Sequence, residues 1–351
     1  MRLPPRGAML PHFLIRCASQ GKRLHPNGHG PMLTRRALLA GLAAAAVSCR
    51  RERPGGLADT PSAAPTAPPS ALPPPPSAPD RAATRTLAFG RDQGGPQRAV
   101  LVVPDWGAAD ERYPLLVALG GLGETRKGLE AGSWAWVKDY WLDRAIARLR
   151  APPLGSADFQ DIVDPGRLAA INASLAARPF RGLVVACPFT PDLLARRSLD
   201  NAGPFARFVT SRLLPRVRAE APVEGRPAAT GIDGVSLGGR LSLLVALEQE
   251  GAFGAVGAMQ AAFEREEVKE LAKRTAAALG RAGFRLRLLT SERDGYREAI
   301  EQLHAALTAA GAAHEERTLP GPHDYPFNRG PGAIEMLLWH DRALRGEAPE
   351  P

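Results

Sequence analysis

The 351-residue chain contains only three cysteines. Two of them, Cys17 and Cys49, stand in its head, so a folded part has Cys187 alone and no internal disulfide to staple it. Cys187, inside "GLVVACPF", reads as an inert strand residue of the interior. Cys, His and carboxylate side chains nowhere gather at metal-ligand spacing, and no Gly-rich phosphate loop follows the first strands, so no metal and no cofactor is expected. There is no internal repeat. Acidic residues are missing from residues 1–51, which carry nine Lys or Arg; the rest of the chain holds 36 basic and 36 acidic residues. The formal charge of +9 therefore belongs to the head, and the neutral remainder excludes a nucleic-acid footprint.

What the head does contain is an address. In "MLTRRALLAGLAAAAVSCRRE", Arg35 and Arg36 precede an apolar run, Ala37 to Val47, too short to span a bilayer as a helix. The order resembles a twin-arginine export signal ending in a lipoprotein processing site, with Cys49 as the lipidated residue and Met32 as the initiator. Residues 1–52 are assigned to this signal and its upstream extension. Residues 53–83, rich in Pro, Ala and Ser without apolar period, form an extended tether that cannot bury enough surface to offset its ordering entropy. The expected location is the outer side of a bacterial-type membrane, periplasmic or cell-surface, with the membrane contacted through the lipid.

From Thr84 to Glu347 apolar strands alternate with amphipathic helices, which is the α/β class with a mostly parallel sheet covered on both faces. "TRTLAF" and "RAVLVVP" read as antiparallel edge strands. "YPLLVALGG", "RGLVVACPF", "AATGIDGVS", "FGAVGAMQ", "FRLRLLT" and "HEERTL" follow as strands, with helices between them and a last helix ending near Leu344. Residues 348–351 are a short tail. A long segment, 124–180, interrupts the alternation as a helical insertion. In it Trp134, Val137, Trp141, Ala145 and Leu149 share one helical face, either a stripe turned to the core or the wall of a substrate pocket.

"TGIDGVSLGGR" places Ser236 between a strand and a helix, flanked by Gly234, Gly238 and Gly239. That is the G-x-S-x-G pattern of a nucleophile elbow, although a small polar residue among helix-packing glycines would look the same. A serine needs a base, and His323, on the loop "LPGPHDYPFNRG" after the last strand, is the histidine of the folded part free of a regular element. His304, His314 and His340 fall within or at the ends of helices and strands. The acid that orients the base is expected between the two in sequence. Asp294 in "RLLTSERDGYREA" is preferred, with Glu292 in reserve, Asp294 being equally able to cap the helix that follows. Asp233, within a strand, and Asp324, beside the histidine, fit less well. Backbone N–H groups of Leu237, at the helix start, and Leu122, in "GGLGET", are the candidate oxyanion donors.

These stretches, together with the helix "RLLPRVRAE", resemble the esterase D-like esterase group of the α/β-hydrolase superfamily over Tyr113 to Leu344. The resemblance implies an α/β-hydrolase fold and a serine hydrolase that cleaves a carboxylic ester through an acyl-enzyme, on a small-molecule or carbohydrate-linked ester. An acyltransferase with the same triad, or a silent binding lipoprotein with the same fold, are the alternatives. One position departs from the group, whose oxyanion loop usually carries His-Gly where Gly120-Gly121 stand here.

Overall fold

The computed structural model describes residues 82–92, 95–194 and 198–348. The signal-like head with Cys49 and the tether up to residue 81 lie outside the described residues. Among the described residues eight strands form one sheet: β1 (Ala83–Asp92), β2 (Gly95–Val103), β3 (Leu115–Leu119), β4 (Val184–Pro188), β5 (Thr230–Gly234), β6 (Ala255–Met259), β7 (Arg285–Arg293) and β8 (Glu315–Pro322), in the order β1-β2-β4-β3-β5-β6-β7-β8. β3 to β8 run parallel to one another, while β2 is antiparallel to both β1 and β4. Of the two strands expected at the edge, only β1 is there. β2 is an inner strand, which is why Ala99 to Val102 are fully buried while most of β1 is exposed.

The uninterrupted apolar runs of β3, β4 and β6 make sense in this setting, because every residue of these strands is buried and a parallel sheet is covered on both faces. One face is covered by helices at 203–220, Leu237–Glu248, Val268–Ala282 and Arg297–Ala309, and the other by those at Leu142–Arg150, Pro165–Ala177 and Ala333–Ala343. The 203–220 helix widens over Val209–Leu213, just ahead of Pro215, whose missing N–H cannot bond back along the helix. Leu237–Glu248 is buried on all sides from Leu237 to Ala246. Even Arg240 is enclosed there, its guanidinium forked onto Glu267.

The insertion is helical but not one helix. Ala135–Asp139 form a wide turn, Trp141 adopts φ +56°, and a new helix starts at Leu142. The break resets the helical phase, so the buried stripe is Ala135, Trp136, Tyr140, Leu142, Ala145, Ile146 and Leu149. Trp134, Val137 and Trp141 are only half-buried, a correction to the face expected from an unbroken helix.

One interior pair left no mark in the sequence. Asp233 of β5 and His340 of helix Ala333–Ala343 are fully buried and paired, Nε2 to Oδ2 at 3.1 Å. Burial depresses the His340 pKa against the support of Asp233. Nearby Glu335 takes a two-pronged contact from Arg167 at 2.7 and 2.8 Å and lies 3.5 Å from Arg287. His340 is thus an interior polar partner and not simply a residue at the end of a helix.

Gly257 on β6 leaves room for this pair, since a Cβ there would lie 2.6 Å from Asp233 Oδ1. That oxygen also accepts the Gly234 N–H at 2.7 Å, so the carboxylate cannot retreat freely. Gly257→Ala is expected to lower stability by about 1–3 kcal/mol, read as a drop in the urea midpoint. A variant with an unchanged midpoint would show that the pair yields at no cost.

Candidate active site

Four chain segments meet at the C-terminal ends of the parallel strands, the end where open α/β sheets place ligands. The loop after β3 brings Gly120 to Glu124, the turn after β5 brings Ser236, the end of β7 brings Asp294, and the end of β8 brings His323. Gly121 to Glu124, Tyr140, Val235, Ser236, His323, Asp324, Tyr325 and Asn328 line one cleft of about 180 Å³.

Ser236 has φ +60° and ψ −116°, a conformation that side-chain-bearing residues rarely adopt. It is held there by its own backbone: the Ser236 N–H donates to Met259 O at 2.9 Å, and its carbonyl accepts from Arg240 and Ala262, each at 3.0 Å. The flanking glycines allow this turn by close approach. A Cβ on Gly239 would meet Met259 O at 2.6 Å, and one on Gly234 would meet the Gly238 carbonyl carbon at 2.6 Å. Leu237 is the first residue of the following helix, so its N–H has no intrahelical acceptor and lies at the positive end of the helix dipole, directly after the serine.

His323 Nδ1 lies 2.7 Å from Asp294 Oδ1. The Asp294 side chain is buried, whereas that of His323 remains 25% exposed, on the cleft. Thr290 Oγ1 donates to Asp294 Oδ2 at 2.8 Å, and the Tyr296 N–H to Oδ1 at 3.0 Å. Asp294 therefore faces the histidine and also accepts the N–H of Tyr296, the residue that precedes helix Arg297–Ala309, although that helix has no side-chain cap of its own. β7 runs on to Arg293, beyond the expected Thr290, and leaves the Glu292 side chain exposed. Asp324 accepts the Phe327 N–H at 3.1 Å and starts the next short helical turn.

One residue in this arrangement gave no recognisable sequence signal. Gln260, buried at φ +44° after β6, donates through Nε2 to Ser291 Oγ at 2.7 Å and to Pro322 O at 3.1 Å. It fixes the residue preceding His323 to β7. An isolated Gln at a strand end has no pattern by which to be found.

The loop after β3, with Gly120 where the resembled group was expected to carry a histidine, is braced by other side chains. Gly120 N–H donates to Thr190 Oγ1 at 2.9 Å, and Thr125 Oγ1 bridges to Thr190 O at 2.8 Å and Gly121 O at 3.1 Å. Gly121 N–H donates to the Tyr140 hydroxyl at 3.2 Å. A Cβ at position 120 would come within 3.1 Å of Ala135 Cβ, so the insertion occupies the space that a side chain there would need. Leu122, the first residue of the short helix Leu122–Thr125, lines the cleft.

A mostly parallel, helix-covered sheet with a glycine-flanked elbow serine at its centre is the α/β-hydrolase fold. Residues 195–276, which include the elbow, match the family model described as "Putative esterase". By that match and that fold the class of this protein is that of the carboxylic ester hydrolases. Solved structures agree on the fold. A ferulic acid esterase is 16% identical, with a TM-score of 0.53 over 75% of this chain and 99% of its own. The fluorophosphonate-binding serine hydrolase F of Staphylococcus aureus, in a substrate-bound structure, is 13% identical, with a TM-score of 0.52 over 74% and 99%. A feruloyl esterase module from Clostridium thermocellum, complexed with sinapinate, is 13% identical, with a TM-score of 0.52 over 76% and 92%. No curated protein matches the sequence.

The positive φ at Ser236 stores strain on the order of 1–3 kcal/mol. Ser236→Gly should relieve it and Ser236→Ala should not. The glycine variant is therefore expected to unfold at a higher temperature than the alanine variant, by thermal denaturation, and the opposite order would mean that the turn is unstrained.

Proposed function

We propose that the chain is a serine esterase working through an acyl-enzyme. The observation that carries this reading is the convergence of the strained elbow residue Ser236 with the His323–Asp294 pair on one cleft. Ser236 Oγ attacks the ester carbonyl carbon while its proton passes to His323 Nε2. Asp294, accepting at Nδ1, holds the tautomer that leaves Nε2 free and stabilises the imidazolium that forms. The N–H groups of Leu122 and Leu237 receive the oxyanion. The carbon–oxygen bond to the alcohol then breaks, the His323 proton leaves with the alcohol, and water repeats the sequence to release the acid. The substrate is a small-molecule or carbohydrate-linked ester, a class in keeping with neighbours described as feruloyl esterases.

Ser236→Ala is expected to abolish both p-nitrophenyl ester hydrolysis and labelling by a fluorophosphonate probe. Asp294→Asn should lower kcat by ~10⁴, while Glu292→Gln changes little. Retained turnover in Ser236→Ala would refute the nucleophile, and a reversed order of the two acid variants would move the acid to Glu292.

We further propose that the mature chain is anchored by lipid at Cys49, outside the cytoplasm. The support is the sequence order of paired arginines, short apolar run, small residues, cysteine and Pro-rich tether. Several acyl chains on one processed cysteine would hold the domain firmly at a membrane, where a single chain would not. Mass spectrometry of the N-terminal peptide should find acylated Cys49, and the Cys49→Ala variant should lose the modification. Soluble protein with an unmodified N-terminus upstream of Cys49 would overturn it.

A further inference from the structure

The oxyanion loop and the histidine loop must keep a fixed distance across the cleft, yet they leave strands that are not neighbours. β5, β6 and β7 lie between β3 and β8, so no ladder of backbone hydrogen bonds joins the two loops. Side chains are left to do it. Glu124, in the short helix after β3, has a side chain only 5% exposed although it borders the cleft. Its two carboxylate oxygens face in different directions. Oε2 accepts the hydroxyl of Tyr140, the same hydroxyl that accepts the Gly121 N–H. Oε1 accepts the hydroxyl of Tyr325, two residues beyond His323. Lys127 completes the group, with its Nζ 3.6 Å from Glu124 Oε1, 3.4 Å from the Tyr325 hydroxyl and 2.9 Å from Asp139 Oδ1.

We propose that Glu124 is a positioning residue that ties the loop carrying Leu122 to the loop carrying His323, through Tyr140 on one side and Tyr325 on the other. Both phenols stay protonated and so keep donating. Burial, followed by the charge of Glu124, raises the Tyr140 pKa far above its ordinary value, and the hydrogen bond to Glu124 raises that of Tyr325. A carboxylate accepts two donors at once at opposite oxygens. A glutamine can do so at one end only, because its amide nitrogen brings a donor to the second hydroxyl. Gly121 directly precedes Leu122, so slack in the tie moves the Leu122 N–H relative to His323. Misplacement by about 1 Å is enough for a loss on the order of 10²-fold. The loss falls on kcat, because this donor engages charge that develops only in the transition state.

The mechanistic part rests on the serine-esterase reading, and two measurements keep the two separable. Steady-state kinetics on a p-nitrophenyl ester should show kcat of Glu124→Gln lowered by about 10–100-fold with KM nearly unchanged. Tyr325→Phe, at an exposed residue whose loss threatens the fold little, should show a smaller fall of the same kind. The double variant should be no worse than Glu124→Gln alone, since both cut one connection. Hydrogen–deuterium exchange needs no activity. In Glu124→Gln, peptides covering 120–127 and 323–328 should lose protection together while sheet peptides stay as in the wild type. Unchanged exchange in either loop overturns the tie, as does a fall in KM-linked binding alone. If the two loops loosen together but the wild-type protein neither hydrolyses esters nor takes a fluorophosphonate on Ser236, the tie stands and the esterase reading fails.

Discussion

The backbone conformation of Ser236 is the constraint on which the rest of the site depends. At φ +60° the residue occupies a poor conformation for any side chain, and it persists because its N–H and carbonyl are bonded to Met259, Arg240 and Ala262. Those bonds are possible only where helix Leu237–Glu248 meets β5 and β6 almost backbone to backbone, and that contact requires Gly234 and Gly239. A single geometric condition thus sets Ser236 on the cleft and seals the centre of the sheet beneath it.

Around this fixed point the sheet acts as a ruler. Parallel strands deliver their C-terminal ends to one side, so residues more than a hundred positions apart, Leu122 and His323 among them, arrive on one cleft. The strands do not finish the positioning. Gln260 fastens the approach to His323, Thr290 and the Tyr296 N–H orient Asp294, and Thr190 with Tyr140 supports the loop where Gly120 offers no side chain. These contacts reach between elements, as they must to remove the freedom that loops retain at strand ends.

Two histidine–aspartate pairs in one fold show how burial divides structure from chemistry. His340 and Asp233 are sealed in the interior, where the pair satisfies polar groups that would otherwise be costly. His323 meets Asp294 through Nδ1 instead of Nε2, and there only the carboxylate is sealed, while the imidazole keeps an edge on the cleft. The nearby Arg167–Glu335–Arg287 cluster belongs with the first pair, since breaking a buried ion pair is far more damaging than its net contribution suggests.

The alternation of apolar runs and amphipathic helices already contained the layered sheet, because burial on both faces requires runs such as "LLVAL" and "AVGAM". The elbow was equally legible, since so close an approach of helix and strands around one residue demands glycines on either side of it. So was the loop position of His323 just past the last strand, and Asp294, the carboxylate preferred from sequence, is the one set against its Nδ1. Three things were not legible. The phase of the insertion changed at Trp141, where the backbone leaves the helical region under tertiary packing that local periodicity does not register. The partnership of Asp233 with His340 joins residues 107 positions apart. The bracing by Thr190, Tyr140, Glu124 and Gln260 consists of single polar side chains with no spacing rule among them. Local pattern reports which face of an element is buried and how a turn must bend; which distant polar group meets which is decided only when the chain closes on itself.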